Sequence, residues 1–240
     1  HIADVSYYVR PGTALDREAY RRGTSVYVTD RVVPMLPQVL SNGICSLNPH
    51  EDRFTITVQM DIAKDGSVRE SQIYPAIIRS DERMTYGNVN RIMAKDERLV
   101  RRYAHLLLMI DNMMGCSALI RKRRHDLGAV NFETRESKII VDEKGVPQQI
   151  VLRERGESER MIEDFMIAAN ECVAAYMKWM DLPAMYRVHE QPEAKKVRAF
   201  AKVAKTLGYS FVVNVAQVYP GQFQRLLEEA QGEDNFDVLS

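Results

Sequence analysis

The hydrophobic period of this chain changes near Thr85, and that change sets its class. Before it, Phe54–Ile62 (FTITVQMDI) alternates as a half-buried strand does. Lys64-Asp65-Gly66-Ser67 then supplies a hairpin turn, and Ser71–Ile78 returns as the partner strand. The rest of this section reads as strand and turn, with a strand under way over Ile2–Val9 and one short helix at Ala14–Arg22.

After Thr85 the apolar residues recur at helical spacing. One helix is expected over Gly87–Ala94 and a longer one over about Glu97–His125, carrying Leu99, Tyr103, Leu106, Leu107 and Ile110 on one stripe. Arg121-Lys122-Arg123-Arg124 and Gly128 suit its C-terminus, where cations and glycine are favoured. A second hairpin follows, from Lys138–Val141 through Asp142-Glu143-Lys144-Gly145 to Gln148–Arg153. A second long helix covers Met161–Met180, with Ile162, Phe165, Met166, Ala169, Val173 and Met177 as its apolar face and Pro183 as its stop. Met185–Val188 reads as a short strand, Pro192 to Leu207 as a helix, Phe211–Val215 as extended chain and Pro220–Ala230 as a last helix. No repeat, low-complexity tract or linker interrupts this order. The expectation is one continuous α/β domain over residues 1–240, a mixed sheet with long packed helices.

Composition excludes several classes. With 240 residues and 45% hydrophobic content the chain can bury a sizeable core, yet no apolar run approaches a membrane span, so no membrane partner is expected. Cys45, Cys116 and Cys172 are odd in number and form no CxxC pair, which points to a reducing, cytoplasmic setting and away from zinc. The histidines show no HExxH spacing, and there is no Walker loop, GxGxxG or GxSxG. The start at His1 and the end at FDVLS read as the edges of an internal fragment.

Four blocks then follow one another in order: HIADVSYYV (His1–Val9), GTSVY (Gly23–Tyr27), PMLP (Pro34–Pro37) and LSNGICSLNP (Leu40–Pro49). In sequence and spacing they resemble the catalytic domain of the ribonuclease II/ribonuclease R family, the ribonuclease R branch in particular. The resemblance is strongest over residues 1–60 and 162–170 and weakest after about 208. It implies part of a ribonuclease II-type catalytic domain, whose parent removes nucleoside monophosphates processively from the 3′ end of single-stranded RNA. It also implies Mg²⁺ as cofactor, a monomer, and two elements outside this chain. These are an aspartate cluster upstream of the IADVS strand that holds the metal and an arginine-rich SPIRRY-like block beyond Ser240. On this reading the 240 residues alone do not cleave RNA. The alternative is a non-catalytic relative that keeps the RNA groove.

The resemblance assigns substrate contacts residue by residue. Tyr27 in GTSVY matches an aromatic that stacks on a base near the scissile end, and Phe132 in AVNFET matches a phenylalanine that clamps the far side of the stacked run. Stacking suits an enzyme that must grip any base, because every base has a π-face. A strand tyrosine and a core phenylalanine are the plain readings of the same residues. Tyr86 in RMTY and Glu163 in IEDFMIAAN match groups that touch the terminal nucleotides and tell ribose from deoxyribose, a task for which a carboxylate acceptor suits the 2′-hydroxyl. Asp164 stands where relatives have a second glutamate, and the sequence leaves open which of the two acids faces the sugar.

Other residues carry weaker signals. Asp4 suits a metal-bound water or, equally, a turn held by its side chain. Arg121–Arg124 suits either a phosphate patch or a solvated helix end, and the His125-Asp126 pair has no specificity. Arg187 and His189 in YRVHEQP are assigned to packing and surface bonds. Charge is neutral for recognition: Lys+Arg and Asp+Glu are both 33, without the basic excess common in nucleic-acid binders. The implied accessory RNA-binding domains and the carboxylates of a metal site soften that objection.

Overall fold

The computed structural model describes residues 1–130, 137–152, 155–188, 190–214, 217–233 and 236–239. Strand β1 (Ile2–Ala3) pairs antiparallel with a later strand, Ile2 opposite Ile56. It ends at once, because Asp4 caps the one-turn helix α1 (Val5–Tyr8) by accepting the Tyr7 N–H at 3.1 Å. The strand expected through Val9 is therefore corrected to a strand of two residues and a helical turn. That turn sets the Tyr7 ring on Phe54, 4.2 Å between centroids. Helix α2 (Ala14–Arg22) has the expected bounds, with Thr13 as N-cap and Gly23 at φ 71° closing it. A short hairpin follows, β2 (Val26–Tyr27) against β3 (Val32–Val33), then a π-helical turn at Val39–Ile44 that buries Leu40.

The long hairpin is β4 (Asp52–Ile62) with β5 (Val68–Arg79), in register with Phe54 opposite Ile77 and Thr57 opposite Tyr74. Asp65 shapes its turn by accepting the Ser67 N–H at 3.0 Å and the Ser67 hydroxyl at 2.6 Å. With β1 it makes a three-stranded sheet in the order β1-β4-β5. The expected mixed sheet takes the form of antiparallel ladders plus one isolated parallel bridge, Pro49 to Ser80.

Helices α3 (Tyr86–Met93) and α4 (Glu97–Arg102) meet at Lys95, φ 64°, and Asp96, which caps α4. The single helix expected over Glu97–His125 is corrected here. It is divided at Tyr103 (φ −106°), passes through a 3-10 turn at Ala104–Leu106, and resumes as α5 (Leu107–Asp126). The apolar spacing survives that step, because Leu99, Tyr103, Leu106 and Ile110 still meet Val89 and Ile92 in one core cluster. The second hairpin is β6 (Ser137–Val141) with β7 (Pro147–Leu152).

Helix α6 (Glu157–Trp179) packs along α5. Its buried face is Met161, Asp164, Ala168 and Cys172, one position around from the stripe drawn in the sequence, about 100° of rotation. The helix ends at Trp179, before Pro183, with Asp181 at φ 51°. The strand expected at Met185–Val188 does not form: residues 182–188 carry no regular structure, and Met185 and Val188 lie open to solvent. An extended segment becomes a strand only when a ladder partner satisfies its backbone. Helices α7 (Ala194–Thr206), α8 (Pro220–Ala230) and α9 (Phe236–Leu239) bury Ala204, Leu226, Leu227, Ala230 and Leu239 together. Residues 211–214 run beside them without a ladder, and Phe211 joins Phe200 and Phe223 in a ring cluster; Val215 lies outside the described residues.

Candidate functional site

The start of α6 is built from another helix. Gly156, its N-cap, has no side chain to offer, so Asn90 of α3 supplies one: Asn90 Oδ1 accepts the Ser158 N–H at 3.0 Å and Asn90 Nδ2 donates to Glu159 Oε2 at 3.0 Å. The absence of a Cβ is what lets the amide in, since a Cβ on Gly156 would lie 2.3 Å from Asn90 Nδ2. Ser158 is buried, and its hydroxyl lies 3.2 Å from the Tyr86 carbonyl and 3.0 Å from Glu159. Burial pushes the Glu159 carboxyl up, but the bonds from Asn90 and Ser158 outweigh it and hold the group below its ordinary range. Tyr86 is thereby pinned through its backbone to α6, while the residue remains 44% exposed.

Glu163 and Asp164 face opposite ways from this frame. Asp164 is 3% exposed and committed inward: Oδ2 accepts from Ser117 Oγ at 2.8 Å and Arg121 Nε at 3.0 Å, and Oδ1 from Arg124 at 3.2 Å. Arg121 also reaches Glu157 at 3.0 Å, which ties the first turn of α6 to the basic end of α5. Glu163 is exposed and ion-paired with Arg155. Of the two acids, Glu163 is the one open to solvent.

The basic run at the end of α5 is neither an open phosphate patch nor a plain solvated end. Arg121 and Arg124 hold Asp164, Lys122 pairs with Asp126, and Arg123 lies 3.6 Å from Asp65 in the β4–β5 turn. His125 pairs with Glu228 of α8 at 2.6 Å. Apart from the Lys122–Asp126 pair within α5, these contacts tie that helix to α6, to α8 and to the β4–β5 turn.

Tyr27 lies on the β2–β3 hairpin opposite Val32, with 78% of its surface open. The hairpin is held at its base by Ser25, whose hydroxyl accepts the Met35 N–H at 2.9 Å, and by Arg22, which donates to the Pro34 carbonyl. Phe132 and His189 lie outside the described residues. Asp4 serves as the cap of α1, and Arg187 is exposed. Among the described residues, no three His, Cys, Asp or Glu side chains are disposed to hold a metal ion. A cavity of about 860 Å³ opens between the β4–β5 turn and the far half of α6, lined by Trp179, Tyr176, Met180, Arg123 and Leu127; Tyr27, Tyr86 and Glu163 do not line it. No described helix is long and apolar enough to cross a membrane.

This chain belongs to the RNB-domain family, whose model matches residues 1–240. Its sequence is 46% identical to Ribonuclease R 1 of Lactococcus lactis subsp. lactis (strain IL1403) over 240 residues, covering 100% of this chain and 29% of that protein. Its structure is similar to Mycoplasma genitalium RNase R in complex with ribose methylated single-stranded RNA, with a TM-score of 0.89 and 30% identity, over 99% of this chain and 37% of that one. Yeast Ssd1, a pseudonuclease, shares the fold with a TM-score of 0.74 at 19% identity, over 99% of this chain and 28% of its own. The chain spans about a third of the length of the curated relatives it matches.

Proposed function

We propose that this chain is the RNA-holding part of an exoribonuclease that shortens single-stranded RNA from its 3′ end to nucleoside monophosphates. The observation that supports it most is the family match across all 240 residues, joined to a strand tyrosine left open to solvent. Tyr27 stacks on a base near the scissile end, with Phe132 as the second member of the clamp. Tyr86, at the start of α3, and Glu163, on α6, contact the terminal nucleotide, and Glu163 rather than Asp164 accepts from the 2′-hydroxyl. Hydrolysis draws on Mg²⁺ held by aspartates outside this chain, and no step of it is assigned to the residues here. The working unit is a cytoplasmic monomer.

A second reading has one observation in its favour. The fold is shared with a pseudonuclease, so fold alone does not carry cleavage. The test is the isolated 240-residue chain mixed with single-stranded RNA and Mg²⁺. We expect binding without degradation. Metal-dependent degradation by a clean preparation contradicts the division of labour proposed here.

A further inference from the structure

The structure assigns to Arg155 a task at the ribose-reading end of this site: it positions the Glu163 carboxylate. The inference rests on the reading of Glu163 given above and extends it to a residue that the sequence did not single out.

Arg155 immediately precedes Gly156, the N-cap of α6, and lies three residues before Ser158, whose N–H donates to Asn90. From there its side chain runs back along the helix to Glu163, eight residues and about two turns away. Both side chains are 47% exposed, so neither is committed to the core. Arg155 reaches Glu163 through Oε2, so Oε1 need not be surrendered to it and can take a sugar hydroxyl.

Charge explains why such a partner is needed. An open carboxylate that reads a 2′-hydroxyl must sit beside a polyanion, where it is repelled by the phosphates on either side. A guanidinium on the far oxygen cancels that repulsion and holds the carboxylate in one orientation, and its planar fork does so better than a lysine. The adjacent Asp164 shows the contrast, since its two oxygens are already taken by Ser117, Arg121 and Arg124. Arg155 is on this account a positioning residue, acting on RNA through Glu163.

The test compares two single-stranded RNA oligomers that differ only in a 2′-deoxy sugar at the 3′-terminal nucleotide. Binding is measured with chelator present, in the protein that carries this chain at its natural length. Glu163→Gln should lower the preference for the ribose end about tenfold, and Arg155→Ala about two- to fivefold. In the Glu163→Gln background, Arg155→Ala should change the preference no further, and Arg155→Lys alone should restore part of it. If Arg155→Ala weakens both oligomers equally and leaves the preference intact, Arg155 grips phosphate and the positioning role is overturned. If Glu163→Gln alone leaves the preference intact, the reading of Glu163 fails and takes this inference with it. Matched melting temperatures exclude misfolding as the cause of either result.

Discussion

Ser117 of α5 and Asp164 of α6 meet in the interior at 2.8 Å, both almost wholly buried. The bond belongs to a set in which one buried carboxylate answers two partly buried guanidinium groups, Arg121 and Arg124. Removing the acid takes the Asp164 partner from Arg124 and leaves Arg121 with the Glu157 carboxylate, both guanidinium groups being only partly solvated. Asp164→Ala should therefore destabilise the chain by ~3 kcal/mol, seen as a lower midpoint in urea. Ser117→Ala should cost ~1 kcal/mol, since the acid keeps its two arginines. Equal losses from the two variants would contradict this ranking.

The contact between Gly156 and Asn90 makes a second prediction. A methyl group on Gly156 would overlap the Asn90 amide, so Gly156→Ala should cost ~2 kcal/mol. Asn90→Ala should cost ~1 kcal/mol through loss of the cap on α6. In the double variant the clash is gone, and the two losses should sum to less than their separate values. Simple additivity in equilibrium unfolding would show that the two residues do not meet as described.

Gly66 and Gly12 separate steric clash from backbone strain. Both have positive φ, 78° and 76°, but a Cβ on Gly66 would lie 2.2 Å from the Leu119 carbonyl of α5, whereas Gly12 has open space around it. Gly12→Ala should cost about 1 kcal/mol from backbone strain alone. Gly66→Ala should cost at least ~2 kcal/mol more, because the hairpin turn must back away from α5. A smaller loss at Gly66 than at Gly12 would mean that the turn does not pack on that helix.

Stability should also fall in acid. The Asp96 carboxyl is held below its ordinary 3.8 first by the Leu99 N–H and then by Arg91, and that of Asp65 first by the Ser67 hydroxyl. A folded pKa below the unfolded one gives a contribution that is whole above the unfolded value and lost as pH falls through the folded value. The urea midpoint should hold above roughly pH 5 and drop below roughly pH 4, and Asp96→Asn should flatten part of that drop. A midpoint that stays level into strong acid would run against both assignments.

Tyr27 should matter to RNA and hardly at all to folding. It is 78% exposed, so Tyr27→Ala should leave the melting temperature in place. Loss of one stacked base should weaken single-stranded RNA binding about tenfold, to the same degree for uridine-rich and adenine-rich oligomers. A loss confined to one base composition would point to base-edge reading instead.

The parts of the fold that the sequence made legible are those with local causes. Helix α2 and helix α8 have their expected bounds because cap residues, Thr13 with Gly23 and Pro220, mark them. The β4–β5 hairpin was legible from its alternation and from Asp65-Gly66. What stayed hidden depends on distant partners. The break at Tyr103 leaves the apolar spacing intact, so periodicity cannot register it. The buried face of α6 lies one residue round from its apolar stripe because it includes Asp164, a carboxylate made tolerable by Ser117 and by arginines 40 and 43 residues away. At the candidate site, the blocks pointed to Tyr27, Tyr86 and Glu163, but nothing local to Arg155 shows that it folds back on Glu163.

The most direct test of the central claim uses 5′-labelled single-stranded RNA and a DNA of matched sequence, each incubated with the protein that carries this chain, with Mg²⁺ or with chelator. RNA alone should be shortened from its 3′ end, only with the metal, to a single short product. RNA bound tightly but left intact with Mg²⁺ would contradict that claim and place this chain among the family members that hold RNA without cutting it.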